Sequence, residues 1–412
     1  MLNEVLARVA ADAQLPRDFE ELCDCDGRFA GTAGEARARE FLAAQLPAIG
    51  AARRETVSYL GWTRGPARID GHDAAALVRS PATAGLRATL VDLGRGAPAD
   101  FSRAADRMTG AIVLVRHEFM VGTGHLHRRR KYDAAREAGA AGFVIACHVP
   151  GAGPVTGSSG DGSPGHIPCA GVSFETGQAL AARDGQAVTM EVGGSFAQRT
   201  AENLFATLPG TGPELVVLSA HYDGHNLSES AIDNASGVAC ALAVARALRD
   251  MDLKRGVELA LFTIEEWALM GSRLHLAALS DAERVRRAFN VNLDSVAGSE
   301  GLTALTSGVP GIDAFIAAAA PEVGTYAGFM GNSDHANYLR AGIPALRLCA
   351  GFDQPDSGMR LLLTPQDNRA LVTEAQLRRA ATMAATLVYA ACTAETLPAR
   401  LSPDDAARIT GG

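Results

Sequence analysis

The chain has 412 residues, 47% hydrophobic and 20% charged, with a mean hydropathy of +0.05, which are the proportions of a globular protein large enough for two cores. A net charge of -8 and an isoelectric point near 5.7 argue against nucleic acid or an anionic membrane as the main partner, because both reward clustered cations. The seven cysteines are odd in number and scattered, so they form no disulfide framework, and the tight Cys23-Asp24-Cys25 has no second pair to make a zinc knuckle.

In chain order, residues 1–22 read as an amphipathic helix with early acids, no basic amino-terminal region and no cleavage site. A cytoplasmic location is expected from this. No apolar stretch is expected to approach the roughly 18 residues of a membrane-spanning helix. A glycine-rich loop at 25–35 follows, in which Thr32 and Glu35 have the spacing of a capping box, then a helix over about 36–46.

Between 57 and 195 the character changes. Short strand-like pieces at 87–93 and 111–115 lie among turn-rich segments, a helix over 131–139 leads into a strand at 142–146, and 151–165 is a loop. His125, His127, His148 and His166 lack carboxylate company at fixed spacing and read as surface or structural residues. The cluster Arg128-Arg129-Arg130-Lys131 reads as a solvated face. This stretch is expected to be a β-rich domain inserted into a first domain assembled from 1–56 and 196–412.

The chemistry concentrates after a strand at 202–210. The apolar run Leu215-Val216-Val217-Leu218 has the composition of a buried parallel strand and leads to His221 and Asp223. Asp233-Asn234-Ala235-Ser236-Gly237 then opens an apolar helix over 238–248. A strand at 257–264 runs directly into Glu265 and Glu266, and one at 289–293 into Asp294. In open α/β sheets ligands bind outside the carboxyl ends of the strands, so three strands delivering His, Glu-Glu and Asp to one edge define a candidate site. Imidazole and carboxylate are ligands that zinc accepts, with Asp223 orienting His221 rather than binding metal. Asn332-Ser333-Asp334-His335, a short helix, a strand at 343–348, an irregular segment at 351–367 and an amphipathic helix over 373–391 complete the chain. The fold expected is α/β, a mixed and mostly parallel sheet with helices on both faces.

The motif set resembles the co-catalytic zinc aminopeptidase family, which includes secreted bacterial aminopeptidases and glutamate carboxypeptidases. The likeness rests on His221-x-Asp223, Asp233-Asn234-x-x-Gly237, Glu265-Glu266, Asp294, and Ser333-Asp334-His335 followed by Ala341-Gly342-Ile343-Pro344-Ala345. The insert is similar to a protease-associated domain. The resemblance implies a zinc exopeptidase fold, a peptide or small amide substrate, and zinc as cofactor. It implies that His221 and Asp294 bind one zinc, Glu266 the other, and Asp233 both, with Glu265 as general base and Asp223 holding the His221 imidazole. One position departs from the pattern. The family closes its second zinc site with a histidine in Tyr-His-Thr-Pro-x-Asp, and here Leu363 stands at that place in Leu362-Leu363-Thr364-Pro365-Gln366-Asp367.

One or two zinc ions therefore remain open, with His335, Asp334 and His225 as substitute ligands or lining residues and Asp353 or Asp356 also within reach. The activity implied is zinc-dependent hydrolysis of amide bonds, first of all release of amino-terminal residues. A carboxypeptidase or aminoacylase-like amidase, and a non-catalytic binding protein with a vestigial metal site, are the alternatives. Glutaminyl cyclisation is disfavoured because Leu362 stands where that branch of the family has tryptophan.

Overall fold

The computed structural model describes residues 1–159 and 165–411, so the part of the expected 151–165 loop at 160–164 lies outside the described residues. The chain forms two compact units: Met1–Ser58, Thr200–Met359 and Asn368–Gly412 make the first, and Tyr59–Arg199 with Arg360–Asp367 the second.

In the first unit the strands Gly256–Phe262, Leu215–His221, Arg287–Leu293 and Ala345–Ala350 lie side by side in that order, all parallel. Runs of Val, Leu and Ala without alternation fill both sides of a strand, and the first two of these are buried at every position. Antiparallel neighbours flank them: 204–208 pairs with 257–261, and Leu302–Leu305 pairs with Ala345–Ala350. The register fixes the edge. Ser219 lies opposite Ala260 and Asn292, and Asn292 opposite Arg347, so the chain after each strand emerges at one level.

Helices Gly237–Leu248 and Glu374–Thr393 pack on the central strands, and Leu2–Ala10 and Gln14–Cys23 pack against them through Val5, Val9, Leu15 and Phe19. Contrary to the expectation that no stretch approaches a membrane span, Ala231–Leu248 has the length and apolarity of one, but 94% of that window is buried between strands and helices as a core element. His335–Arg340 packs with Met270–Ala278 and on the strands Arg287–Leu293 and Ala345–Ala350. The Thr32 hydroxyl caps a helix that begins at Ala33, earlier than expected. The Glu35 carboxylate does not close the box; it accepts the Tyr222 hydroxyl at 2.9 Å.

The second unit holds the parallel strands Thr83–Asp92, Ile112–Arg116, Gly142–Ala146 and Cys169–Val172, with helices Pro98–Arg103, Arg128–Glu137 and Phe174–Ala181. Its core contains Val113, Val115, Tyr132, Phe143 and Ile145. Leu363 belongs to that core too, 3% exposed, and the Thr156 amide donates to its carbonyl at 2.8 Å. Residues 360–367, placed from sequence with the first domain, cluster with the second unit, where Leu363 is part of the core and Leu361 packs half-buried against it.

One surface expectation is corrected in this unit. Helical periodicity turns Arg128 and Lys131 of the basic cluster inward, 5% and 1% exposed. The Lys131 ammonium donates to the Arg116 carbonyl at 2.8 Å and to the Glu118 carboxylate at 2.5 Å. His125, His127 and His148 are half-buried, as structural residues are, and His148 Nδ1 meets His117 Nδ1 at 3.5 Å. All seven cysteines are buried free thiols.

Burial pushes the Glu118 carboxyl up, but hydrogen bonds from Arg95 and Lys131 outweigh it and hold it down at about 2. A depressed carboxylate stabilises the fold above its unfolded pKa of about 4.3, and that contribution is lost as pH falls toward 2. The expected result is that Glu118→Gln is less stable than wild type by about 1 kcal/mol near pH 6, after allowance for solvent screening. Chemical denaturation at a series of pH values should show the gap closing between about pH 4.3 and about pH 2.

Candidate metal centre

His221 is the last residue of its strand, and its imidazole is 1% exposed. Nε2 lies 3.1 Å from Asp233 Oδ1 and 3.8 Å from Asp294 Oδ1. Nδ1 lies 3.1 Å from the Asp223 carbonyl and 3.6 Å from Asp223 Oδ1. The Asp223 carboxylate has a further task, accepting the backbone amides of Glu265 at 3.0 Å and Glu266 at 3.3 Å. One buried carboxylate thus holds in place the turn that carries both glutamates and stands behind the imidazole.

Asp233 sits in the irregular turn Ala231–Ser236 that leads into helix Gly237–Leu248. The next residue anchors that turn: Asn234 Nδ2 donates to the Leu293 carbonyl at 2.9 Å, and its Oδ1 accepts the amides of Gly237 at 3.0 Å and Ser295 at 3.2 Å. Since Asp294 lies between Leu293 and Ser295, the same amide side chain fixes Asp233 relative to Asp294. His221, Glu265 and Asp294 present ligand atoms all within 4.8 Å of one another.

Asp294 is 2% exposed. Its Oδ2 accepts the Ser333 hydroxyl, and its Oδ1 the Ser295 hydroxyl at 3.0 Å. The Arg347 guanidinium lies 3.2 Å from Oδ1 and donates from Nε to the Asp294 carbonyl at 3.3 Å. Sequence reasoning missed Arg347, and it named Ser333 within its motif without giving it a role. A lone arginine inside the apolar strand Ala345–Ala350 was the available signal, since a charge in a buried strand needs a partner.

The electrostatics follow from these contacts. Burial would push His221 down, but Glu265 and the carboxylates of Asp223, Asp233 and Asp294 raise it well above its ordinary value. Burial lifts Glu265 well above the usual carboxylate range; His221 opposes this, while Asp334, Asp294 and Glu266 add to it. Burial also pushes Asp294 up, but Arg347, His221 and Ser333 outweigh it and hold the carboxyl down. A buried cluster of carboxylates around one imidazole is a place where a divalent cation would offset negative charge, and the donor set of imidazole and carboxylate suits zinc.

The proposed substitutes fall outside the triad. His335 is wholly buried, and burial and Arg347 hold its imidazole down at about 3. Asp334 accepts the Ser272 hydroxyl, and burial pushes its carboxyl up to about 7. His225 lies buried in the loop after His221, its backbone amide and carbonyl both engaged by the Ser230 hydroxyl. Glu266 is 8% exposed and lies outside the triad that holds Glu265.

Beside this sheet edge, with a histidine and carboxylates converging on it, stand the comparisons: residues 203–388 match peptidase family M28, and residues 75–180 match the PA domain. The chain is thus a metallopeptidase, similar to that family over residues 203–388 and to the PA domain over residues 75–180. Among curated relatives it is 26% identical over 326 residues to aminopeptidase YwaD of Bacillus subtilis (strain 168), covering 76% of this chain and 69% of that protein. It is 31% identical over 243 residues to leucine aminopeptidase 2 of Trichophyton equinum, covering 57% of this chain and 47% of that protein. The chain therefore spans about half the length of the fungal relative. Among solved structures, the aminopeptidase from Aneurinibacillus sp. strain AM-1 has the same fold, with a TM-score of 0.72 at 23% identity and 98% of each chain covered. So does a peptidase M28 precursor from Shewanella amazonensis SB2B, with a TM-score of 0.78 at 22% identity and 98% of each chain covered.

Proposed function

We propose that this metallopeptidase is a zinc-dependent aminopeptidase that removes amino-terminal residues, apolar ones such as leucine included, from peptides or small amides. The observation that carries the proposal is the convergence of His221, Glu265 and Asp294 within 4.8 Å, with Asp233 3.1 Å from the same imidazole. The names of the relatives, aminopeptidase and leucine aminopeptidase, support the substrate class.

His221, Asp233 and Asp294 would hold one zinc ion firmly. Bound zinc polarises a carbonyl and makes water more acidic, which is the chemistry that amide hydrolysis needs. Glu265, lifted by burial, is suited to accept the proton of the attacking water and to return it to the leaving amine. Asp223 orients the His221 ring and the glutamate turn, while Ser333, Ser295 and Arg347 orient Asp294. We propose a single firmly held ion for two reasons. The Leu363 side chain is buried in the core of the second unit, and Arg347 sets a permanent positive charge against Asp294 that opposes a second dication.

The test is hydrolysis of leucine p-nitroanilide and its N-acetyl form, with and without a chelator. The expected result is turnover of the free amine alone, abolished by chelation and restored by zinc. Equal turnover of the acetylated substrate would favour the aminoacylase-like amidase, and no turnover of any amide would favour the binding protein. We also propose a cytoplasmic location, supported by the seven free thiols, which fit a reducing compartment; recovery in an extracellular fraction would contradict it.

A further inference from the structure

The glycine-rich loop near residue 30 does more than start a helix. Arg28 is wholly buried, and its guanidinium spans the loop that joins His221 to Asp233. Nε donates to the Tyr222 carbonyl at 2.8 Å, at the beginning of that loop. Nη1 donates to the Glu229 carbonyl at 2.8 Å and Nη2 to the Ser230 carbonyl at 2.7 Å, at its end. A further bond from Nη1 to the Leu22 carbonyl at 2.9 Å ties the group to helix Gln14–Cys23. The two loops are also interlocked by backbone. The Gly224 amide donates to the Arg28 carbonyl at 3.2 Å. Gly27 adopts φ +79°, and a Cβ there would stand 2.5 Å from the carbonyl oxygens of both His225 and Ser228. Inside the loop, the Ser230 hydroxyl donates to the His225 carbonyl at 3.0 Å and accepts its amide at 3.1 Å.

We propose that Arg28 is a positioning residue of the metal centre. Its planar fork acts as a rigid spacer between Tyr222 and Ser230 and so sets the separation of His221, next to Tyr222, from Asp233, three residues past Ser230. The proposal rests on the reading that these two side chains bind metal. A lysine keeps the charge but has a single nitrogen on a flexible stem, and it cannot reach both ends of the loop at once. The geometry therefore requires the guanidinium and not only its charge.

The experiment uses cobalt(II) in place of zinc in the full chain, reading affinity by titration and ligand geometry from the visible absorption bands. Arg28→Lys is compared with Arg246→Lys, whose parent arginine pairs with Asp12 and Asp18 at 2.8 Å each in the same unit. The expected result is that Arg28→Lys binds cobalt about 10- to 100-fold more weakly with shifted bands, the usual cost of losing a group that orients ligands. Arg246→Lys should lower the melting temperature while leaving affinity and bands unchanged. Ser230→Ala, which opens the same loop without altering Arg28, should weaken cobalt binding in the same direction and serves where Arg28→Lys does not fold. Wild-type affinity and bands in Arg28→Lys, or in Ser230→Ala if that variant stands in for it, would overturn the proposal. A wild-type protein that takes up no cobalt would instead overturn the metal-site reading on which it rests.

Discussion

Glu265→Gln is expected to lower kcat by about 100- to 10,000-fold, the usual contribution of a positioned general base, while metal content and KM stay close to wild type. The amide has the shape of the carboxylate and keeps a hydrogen-bond acceptor, but it cannot take a proton at neutral pH. The backbone of residue 265 is held by the Asp223 carboxylate at 3.0 Å through its amide, which the substitution leaves intact, so the turn should not move. Steady-state kinetics with zinc analysis on the same preparation tests this. A variant with kcat within tenfold of wild type would mean that the base lies elsewhere. One that had also lost its metal would mean that Glu265, a member of the His221–Asp294 triad, is a ligand.

Asp294→Asn should have an effect of comparable size through a different route. Asp294 and Arg347 are 2% and 3% exposed and lie 3.2 Å apart, so the substitution leaves a buried guanidinium without its charge partner. Breaking a buried pair in this way costs about 3–5 kcal/mol of stability, because the remaining charge has no compensation. The variant should also lose zinc, since one oxygen of the proposed ligand set becomes neutral. Asp294→Asn combined with Arg347→Leu separates the two effects: denaturation should show much of the stability recovered, while zinc binding stays lost. If the double variant were no more stable than the single one, the pair would not be the source of the loss. If it bound zinc normally, Asp294 would not be a ligand.

Much of this centre was legible in the sequence because its parts are local. Strand Leu215–His221 is an apolar run and strand Arg287–Leu293 alternates apolar and polar residues, yet both end at chemistry, and a ligand residue placed at the end of such a strand must emerge at the carboxyl edge of the sheet. Helix Gly237–Leu248 was equally plain from its composition. What the sequence did not disclose depends on contacts between distant segments. Leu363 could be placed in a motif by its neighbours Thr364, Pro365 and Asp367, but its partner Thr156 lies far off in the chain, and no local pattern shows which core an apolar run joins. Lys131 looked solvated because lysine usually is, yet Glu118 and the Arg116 carbonyl satisfy its ammonium inside. Arg28 has a similar history. The glycines beside it drew attention to a turn, whereas the guanidinium is occupied by carbonyls from about 200 positions along the chain.

The metal centre is tested most directly by zinc per chain from elemental analysis, on protein purified without added metal and again after dialysis against zinc. About one equivalent is expected in wild type and almost none in Asp294→Asn, as for a site with three protein ligands. No zinc in wild type even after dialysis would contradict the metal centre, and two firmly held equivalents would contradict the single ion proposed here.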